Sequence, residues 1–366
     1  MEGKIKPIQQ TKYEHFEDDY QNEWVQNSTT VSSTTGSTTL LAVDATQWVP
    51  GELYTVFQDP TAGSSHENFR VTAVDTGTNV ITVARAIAGT TILEIPAGAY
   101  ILRSGAAYSE GAGMPTGRST IPVGYTSGPQ VFRRACQPIT MIAATTKNYA
   151  NEGKGERNFQ HAKVMVEIKK LINRAFFFGK YAYDTTGDAD GAILYTEGIK
   201  SRITTNVFNM GGTVSERGFG DILEQAFVYG SSEKTLVCCP KVASAIDAWA
   251  GDRLIIEQGE TTYGLKIMTW ISPHGTLRIV VDKSLTGNGR YGVTGAGHMA
   301  FILDMDELYP FYLNGNGISH NIQVWLDRIR DGKTVYRDEV YCAYGMKLKH
   351  EKKHSFLYNF TDYVSS

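Results

Sequence analysis

The chain has 366 residues, of which 42% are hydrophobic, 11% aromatic and 20% charged. That mixture supports a substantial core spread over two or three domains, and it excludes a disordered chain, a collagen-like repeat and a disulfide-knit mini-protein. Lys and Arg number 35 against 38 Asp and Glu, a net charge of −3, which argues against a dedicated nucleic-acid binder. No apolar run is long enough to span a bilayer, and the N-terminal twenty residues lack the apolar stretch of a signal peptide, so synthesis in the cytosol is expected.

From the N-terminus, the segment Glu14–Glu23 is rich in acids. Ten of the twelve residues from Ser28 to Thr39 are Ser or Thr. Thr favours extended backbone and the run flows into Leu40–Val43, so a strand is expected rather than a linker. Further strands are predicted at Glu52–Phe57, Phe69–Val74, Val80–Ala84, Ile92–Ile95 and Tyr100–Leu102, with a hairpin loop at Asp75–Asn79. Residues 28–105 therefore form an all-β module of five or six short strands. Within 28–110 seven acids face three arginines, a net of −4, and no lysine occurs between Lys12 and Lys147.

One long helix is predicted over Glu156–Phe178. Val164, Ile168, Leu171, Ile172, Ala175 and Phe176 fall on one apolar stripe, and Gly179 is placed as the left-handed residue that ends it. Residues 153–178 carry six Lys or Arg against two Glu, a net of +4. A second amphipathic helix spans Glu216–Tyr229, a buried strand Thr235–Cys239 follows, and Pro240 opens another helix. Strands close the chain at Leu265–Ile271, Leu277–Asp282, Met299–Leu303, Thr334–Lys349 and Ser355–Phe360. Strand-rich flanks around a helix–strand–helix centre make the fold class α+β.

No catalytic constellation emerges. The four cysteines, Cys136, Cys238, Cys239 and Cys342, form no C-x-x-C pair and are expected reduced and structural. His350 and His354 lie in a basic run, Lys347–His354, expected to be a solvated strand end rather than a metal site. Asp304, Asp306 and Glu307 lack the glycine and terminal acid of a calcium loop and are expected to form a turn. The glycine-rich stretches at 287–297 do not lead from a strand into a helix as a phosphate loop would. No cofactor and no enzymatic activity are expected. The basic helix face of Lys163, Lys169, Lys170 and Arg174 is suited to a phosphate, to an acidic segment of another subunit, or to solvent.

The order of features resembles the major capsid proteins of tailed bacteriophages with the Hong Kong 97-type fold, in the subgroup with a small β-domain inserted at the extended loop. The residues that carry the resemblance run along almost the whole chain. They are Glu14-His15-Phe16-Glu17 through Asn22-Glu23-Trp24, then Val49-Pro50-Gly51-Glu52 with Phe69–Asp75 and Val80–Arg85, then Gly128–Phe132 and Ile139–Thr145. The spine-helix stretch Glu156–Gly179 follows, with Gly198-Ile199, Tyr263-Gly264 through Ile279–Asp282, and Gly332-Lys333 with Asp338-Glu339.

The resemblance implies an N-terminal arm and loop start at 1–27, the inserted β-domain at 28–105, the loop's return at 106–127, and a peripheral domain at 128–199 with the spine helix 156–178. An axial domain at 200–320 and return strands at 321–366 complete it. It implies a structural protein that assembles as hexamers and pentamers into the icosahedral head around double-stranded DNA. That head would be a virion part built in the host cytoplasm, with a separate scaffolding protein, a portal, a possible decoration or cement protein, weak non-specific contact with packaged DNA, and no membrane. Glu14, Glu17, Asp18, Asp19 and Trp24 on one side, and Lys163, Lys169, Lys170 and Arg174 on the other, are the expected assembly residues. Some relatives lock the shell through an isopeptide bond from a loop lysine; residues 13–146 hold no lysine, so a non-covalent shell is expected. An encapsulin-like compartment and a carbohydrate-binding module on residues 28–105 are the alternatives.

Overall fold

The structure, a computed structural model, describes residues 5–18, 23–34, 38–57, 65–114, 122–146, 155–186, 191–250, 254–255, 268–285, 296–327 and 332–363. They divide into two units, one of residues 18–123 and one of 1–17 with 124–366.

In the smaller unit, six antiparallel strands are ordered Trp24–Gln26, Tyr100–Ala106, Glu52–Phe57, His66–Asp75, Val80–Ala84, Thr39–Leu41. The two outermost strands meet: Asn27 bridges Ala42, the Val43 N–H donates to the Gln26 carbonyl and the Ser28 N–H to that of Leu41. The sheet thus closes on itself and leaves no open edge there. Alternate residues fill the inside: Tyr54 and Val56, Phe69 and Val71, Ile81 and Val83, Leu40 and Ala42. Trp48, Tyr54 and Phe69 stack at its centre. Glu67 continues the inward row of Phe69 and Val71 and is buried as a charge. It accepts from Arg85 Nε (2.9 Å) and Nη2 (2.6 Å) and from the N–H groups of Ala86 and Leu93, which meets the cost of its desolvation. The hairpin at Asp75–Asn79 forms as expected, with Asn79 at φ 56°. Ile92–Ile95 does not form a strand; only Ile95 bridges, to Val31.

The larger unit has two main sheets around one core. Seven strands are ordered Val207–Val214, Ser355–Tyr363, Ala300–Leu303, Glu233–Cys238, Gly275–Val281, Met268–Ser272, Leu254–Ile255. In the second sheet, Glu339–Leu348 lies between Leu308–Gly315 and Gln130–Ala135, and Lys6–Ile8 pairs parallel to Leu308–Gly315. Pro310 tolerates this interior position because the short Lys6–Ile8 strand pairs only from Phe311 onward, so no ladder bond needs the missing N–H on that side. The predicted Thr334–Lys349 run breaks into Val335–Tyr336 and Glu339–Leu348 around Asp338.

The long helix runs over Glu156–Phe178 and packs against Gln130–Ala135 and Glu339–Leu348. Val164, Ile168, Ile172, Phe176 and Phe177 are buried, whereas Leu171, placed on the stripe from the sequence, is exposed, and Phe177, off that stripe, packs against Phe301. Gly179 ends the helix in extended rather than left-handed backbone. Its requirement is space: a Cβ there would lie 2.6 Å from the carbonyl oxygens of Ala175 and Thr196, where Gly198 packs against it. Helices at Glu216–Ala226 and Pro240–Ala250 lie close to the expected positions. No helix of the described residues is long and apolar enough to cross a membrane.

Ile168 is fully buried midway along the helix. Ile168→Asp leaves an unpaired charge in that core and is expected to abolish the folded subunit, whereas Ile168→Val costs about 1 kcal/mol. Soluble yield and thermal unfolding of the two variants check this, and a folded, shell-forming Ile168→Asp chain would refute the packing.

Candidate functional site

Among the described residues, no three His, Cys, Asp or Glu side chains are grouped to hold a metal. All four cysteines are free and buried, and burial pushes the Cys238 and Cys342 thiols up to about 12, far from reactive thiolates. The strongly shifted groups instead tie the chain together. Asp338 accepts from Arg157 Nε (2.6 Å) and Nη2 (2.7 Å) and from the Asp327 N–H (2.8 Å), and His161 Nε2 lies 2.6 Å from it. Burial alone would raise its carboxyl, but the Arg157 hydrogen bonds, the backbone donor and His161 hold it far below the usual carboxylate range.

The basic run Lys347–His354 is not the solvated strand end expected. Lys347 and His354 are buried, because the chain turns at His350 (φ 49°) through a short 3-10 turn, Glu351–Lys353, and folds back into the core. The Asp304 N–H donates to His354 Nδ1 (3.2 Å) and Nε2 faces the Lys349 carbonyl (3.1 Å), an arrangement satisfied by the neutral ring with its proton on Nε2. Buried Lys234 donates to the carbonyls of Ala226, Tyr229 and Lys353 at 2.6–2.7 Å; burial draws its pKa down to about 8, which leaves it charged at neutral pH. Asp304, Asp306 and Glu307 do form a turn, with Asp304 capping the Asp306 N–H.

The expected assembly residues separate into distinct places. On the strand Tyr13–Glu17, which pairs with Val123–Ser127, side chains alternate. Glu14 and Phe16 face solvent, and Asp18 just beyond the strand is exposed. Glu14 pairs with Lys12 at the surface. Glu17 faces the other way and is engaged within its own chain. It meets His15 Nε2 (2.7 Å), Arg202 Nη2 (3.1 Å) and the His350 N–H (2.9 Å), so it is not available to a neighbour as expected. Burial would raise its carboxyl, but those donors bring it below the usual value. Asp19 lies outside the described residues. Trp24, in the smaller unit, is exposed opposite Leu102.

On the long helix, Lys163 is exposed. Lys169, Lys170, Arg174 and Lys283 together line a cavity of about 560 Å³. Its apolar walls include Val166, Ile172, Phe176, Pro310 and Tyr344. Its acid, Asp282, accepts from Asn173 Nδ2 (2.9 Å) and from the Ser284 N–H (2.7 Å). Sequence reasoning found three of these cations through helical spacing. It missed Lys283 and the cavity, which exist only because the 282–284 turn is folded against the helix.

A family model described as SU10 major capsid protein matches residues 1–361. No curated protein matches the chain. Among solved structures, the chain is similar to one in the holo-SrpI encapsulin complex from Synechococcus elongatus, at 8% identity and TM-score 0.48 over 68% of this chain and 81% of that one. It is also similar to a chain of Gordonia phage Cozz, at 10% identity and TM-score 0.46 over 72% and 79%, and to one of Mycobacterium phage Patience, at 8% and 0.41 over 71% and 78%.

Burial lowers the His354 pKa to about 4, so its neutral form stabilises the fold. The unfolded chain takes up the proton first, near pH 6.5, so this contribution is present above pH 6.5 and is lost as pH falls toward 4. The loss is about 3 kcal/mol at most. Denaturant titrations at pH 7 and pH 4.5 are expected to show that drop in the native chain and a smaller one in His354→Gln. Equal drops would refute the assignment.

Proposed function

The chain belongs to the SU10 major capsid protein family, and from that premise we propose how it builds a phage head. It is a structural component of a bacteriophage capsid. In the proposed assembly, copies form hexamers and pentamers of an icosahedral shell around double-stranded DNA. The subunit has the Hong Kong 97-type plan: an N-terminal arm at 1–27, an inserted β-domain at 28–105, the extended loop's return at 106–127, a peripheral domain at 128–199, an axial domain at 200–320 and return strands at 321–366. The whole-length family match carries this reading.

The physical support lies in how charge is distributed. Buried or half-buried ionic groups such as Asp338, Glu67 and Glu17 have partners inside the chain, which is how a stable subunit satisfies its own desolvated charges. The exposed acids Glu14 and Asp18 and the cations Lys163, Lys169, Lys170 and Arg174 sit at surfaces where repeated copies can pair. Glu17 is left out of that set, and Trp24 is kept as an exposed aromatic contact. The protein works without catalysis, in the virion, after assembly in the host cytoplasm. A separate scaffolding protein, a portal and, on some heads, a cement protein are its proposed partners, with DNA touched weakly and without sequence preference.

Electron microscopy of the expressed chain, alone and with phage partners, tests this reading: closed icosahedral shells are expected, and a persistent monomer under all these conditions would refute it. The lack of lysine across residues 13–146 further predicts a shell without isopeptide bonds from the loop. Mature particles boiled in reductant are expected to run as one band near 40.3 kDa. A ladder of covalent multimers would overturn that prediction.

A further inference from the structure

The cavity beside the long helix is lined by apolar side chains, including Val166, Ile172 and Phe176, together with the cations Lys169, Lys170, Arg174 and Lys283. Asp282, the acid at this cavity, is hydrogen-bonded by Asn173 and Ser284. Chemistry of this kind suits an occupant with an apolar group flanked by carboxylates: the walls take the apolar group out of water, and the cations fix the register. At about 560 Å³ the space is ample for an aromatic side chain.

The chain displays such a group itself. Phe16 leaves 76% of its surface exposed on the strand Tyr13–Glu17, with Glu14 two residues before it and Asp18 two residues after, both exposed. Along the strand that spacing puts Glu14 and Phe16 on one face, and Asp18 follows just beyond its end. Met114 and Ile142 are exposed to a similar or greater degree, yet neither has an acid within two residues. No residue of Tyr13–Glu17 lines the cavity of its own chain. Resting on the capsid reading, we infer that the cavity of one subunit receives Phe16 of a second copy, with Glu14 of that copy pairing to the lysines that line the cavity. Glu14's surface pair with Lys12 is no barrier, since exposed ion pairs of this kind are worth little and exchange readily.

The test uses the native chain. Particles are assembled from a mixture of unlabelled and nitrogen-15-labelled subunits and treated with a zero-length carbodiimide, which joins a carboxylate to an amine it touches. Mass spectrometry is expected to find Glu14 joined to Lys169, Lys170 or Lys283 in peptides of mixed isotope content, which only two different chains produce. Intact particles in which Glu14 joins only to Lys12 or to lysines away from the cavity would overturn the inference and leave the capsid reading standing. Failure of the native chain to form any particle, alone and with phage partners, overturns both. A second arm separates the anchor from the charges: Phe16→Ala is expected to lower the Glu14 crosslink at least tenfold, and Phe16→Leu to retain it. An unchanged crosslink in Phe16→Ala would overturn the role of the aromatic ring.

Discussion

The larger unit depends on one buried carboxylate. Asp338 stands between the short strand Val335–Tyr336 and the long strand Glu339–Leu348, and it takes both donors of the Arg157 fork, His161 and the Asp327 N–H. Arg157 and His161 belong to the first turns of the long helix, so this single group binds the helix start, the central strand and the preceding loop. A carboxylate taken out of water costs several kcal/mol unless its lone pairs are filled, and here each oxygen has partners. The helix is then held in register for its apolar face to meet the sheet. Glycines without side chains let the chain pass closely where the helix ends at Gly179 and Gly198.

The smaller unit solves the same problem in a different architecture. A closed sheet hides its strand edges around a mostly apolar interior, with buried carboxylates at Glu52, paired to Arg103, and at the other end at Glu67, paired to Arg85. The latter pair is satisfied by backbone groups of Ser32, Ala86 and Leu93, so the desolvated charges also anchor the loops that cap the barrel. In both units, ionic groups that leave water are paired inside the chain. This matters for a protein that works by repetition, because unsatisfied buried charge would leave each copy prone to wrong contacts, while charges kept at the surface remain available for chosen ones.

Much of the candidate site was visible in the sequence as charge: the acids near residue 14 and the cations at helical spacing after Lys163. Strand alternation then divided those acids. Glu14 and Glu17 are three residues apart, so in extended backbone they point to opposite faces, and Glu17 is absorbed into a network with Arg202 and His350 that lie far away in the chain. Nothing local announces those partners. The same is true of His354, whose basic neighbourhood suggests solvent but whose ring is enclosed by the turn after His350.

Periodicity within the chain determined the all-β character of the smaller unit, the long helix and most of its buried face, the helix opened by Pro240 and the absence of familiar catalytic motifs. Each of these rests on patterns of neighbouring side chains, at period 2 for strands and near 3.6 for helices, and such patterns are local. Only the tertiary structure decided that Leu171 stays exposed while Phe177, off the predicted stripe, enters the core, where the Thr334–Lys349 run breaks, and that three helix cations share a cavity with Lys283. Those outcomes depend on segments more than a hundred residues apart competing for the same volume and the same hydrogen-bond donors, and that competition is settled only when the chain is packed.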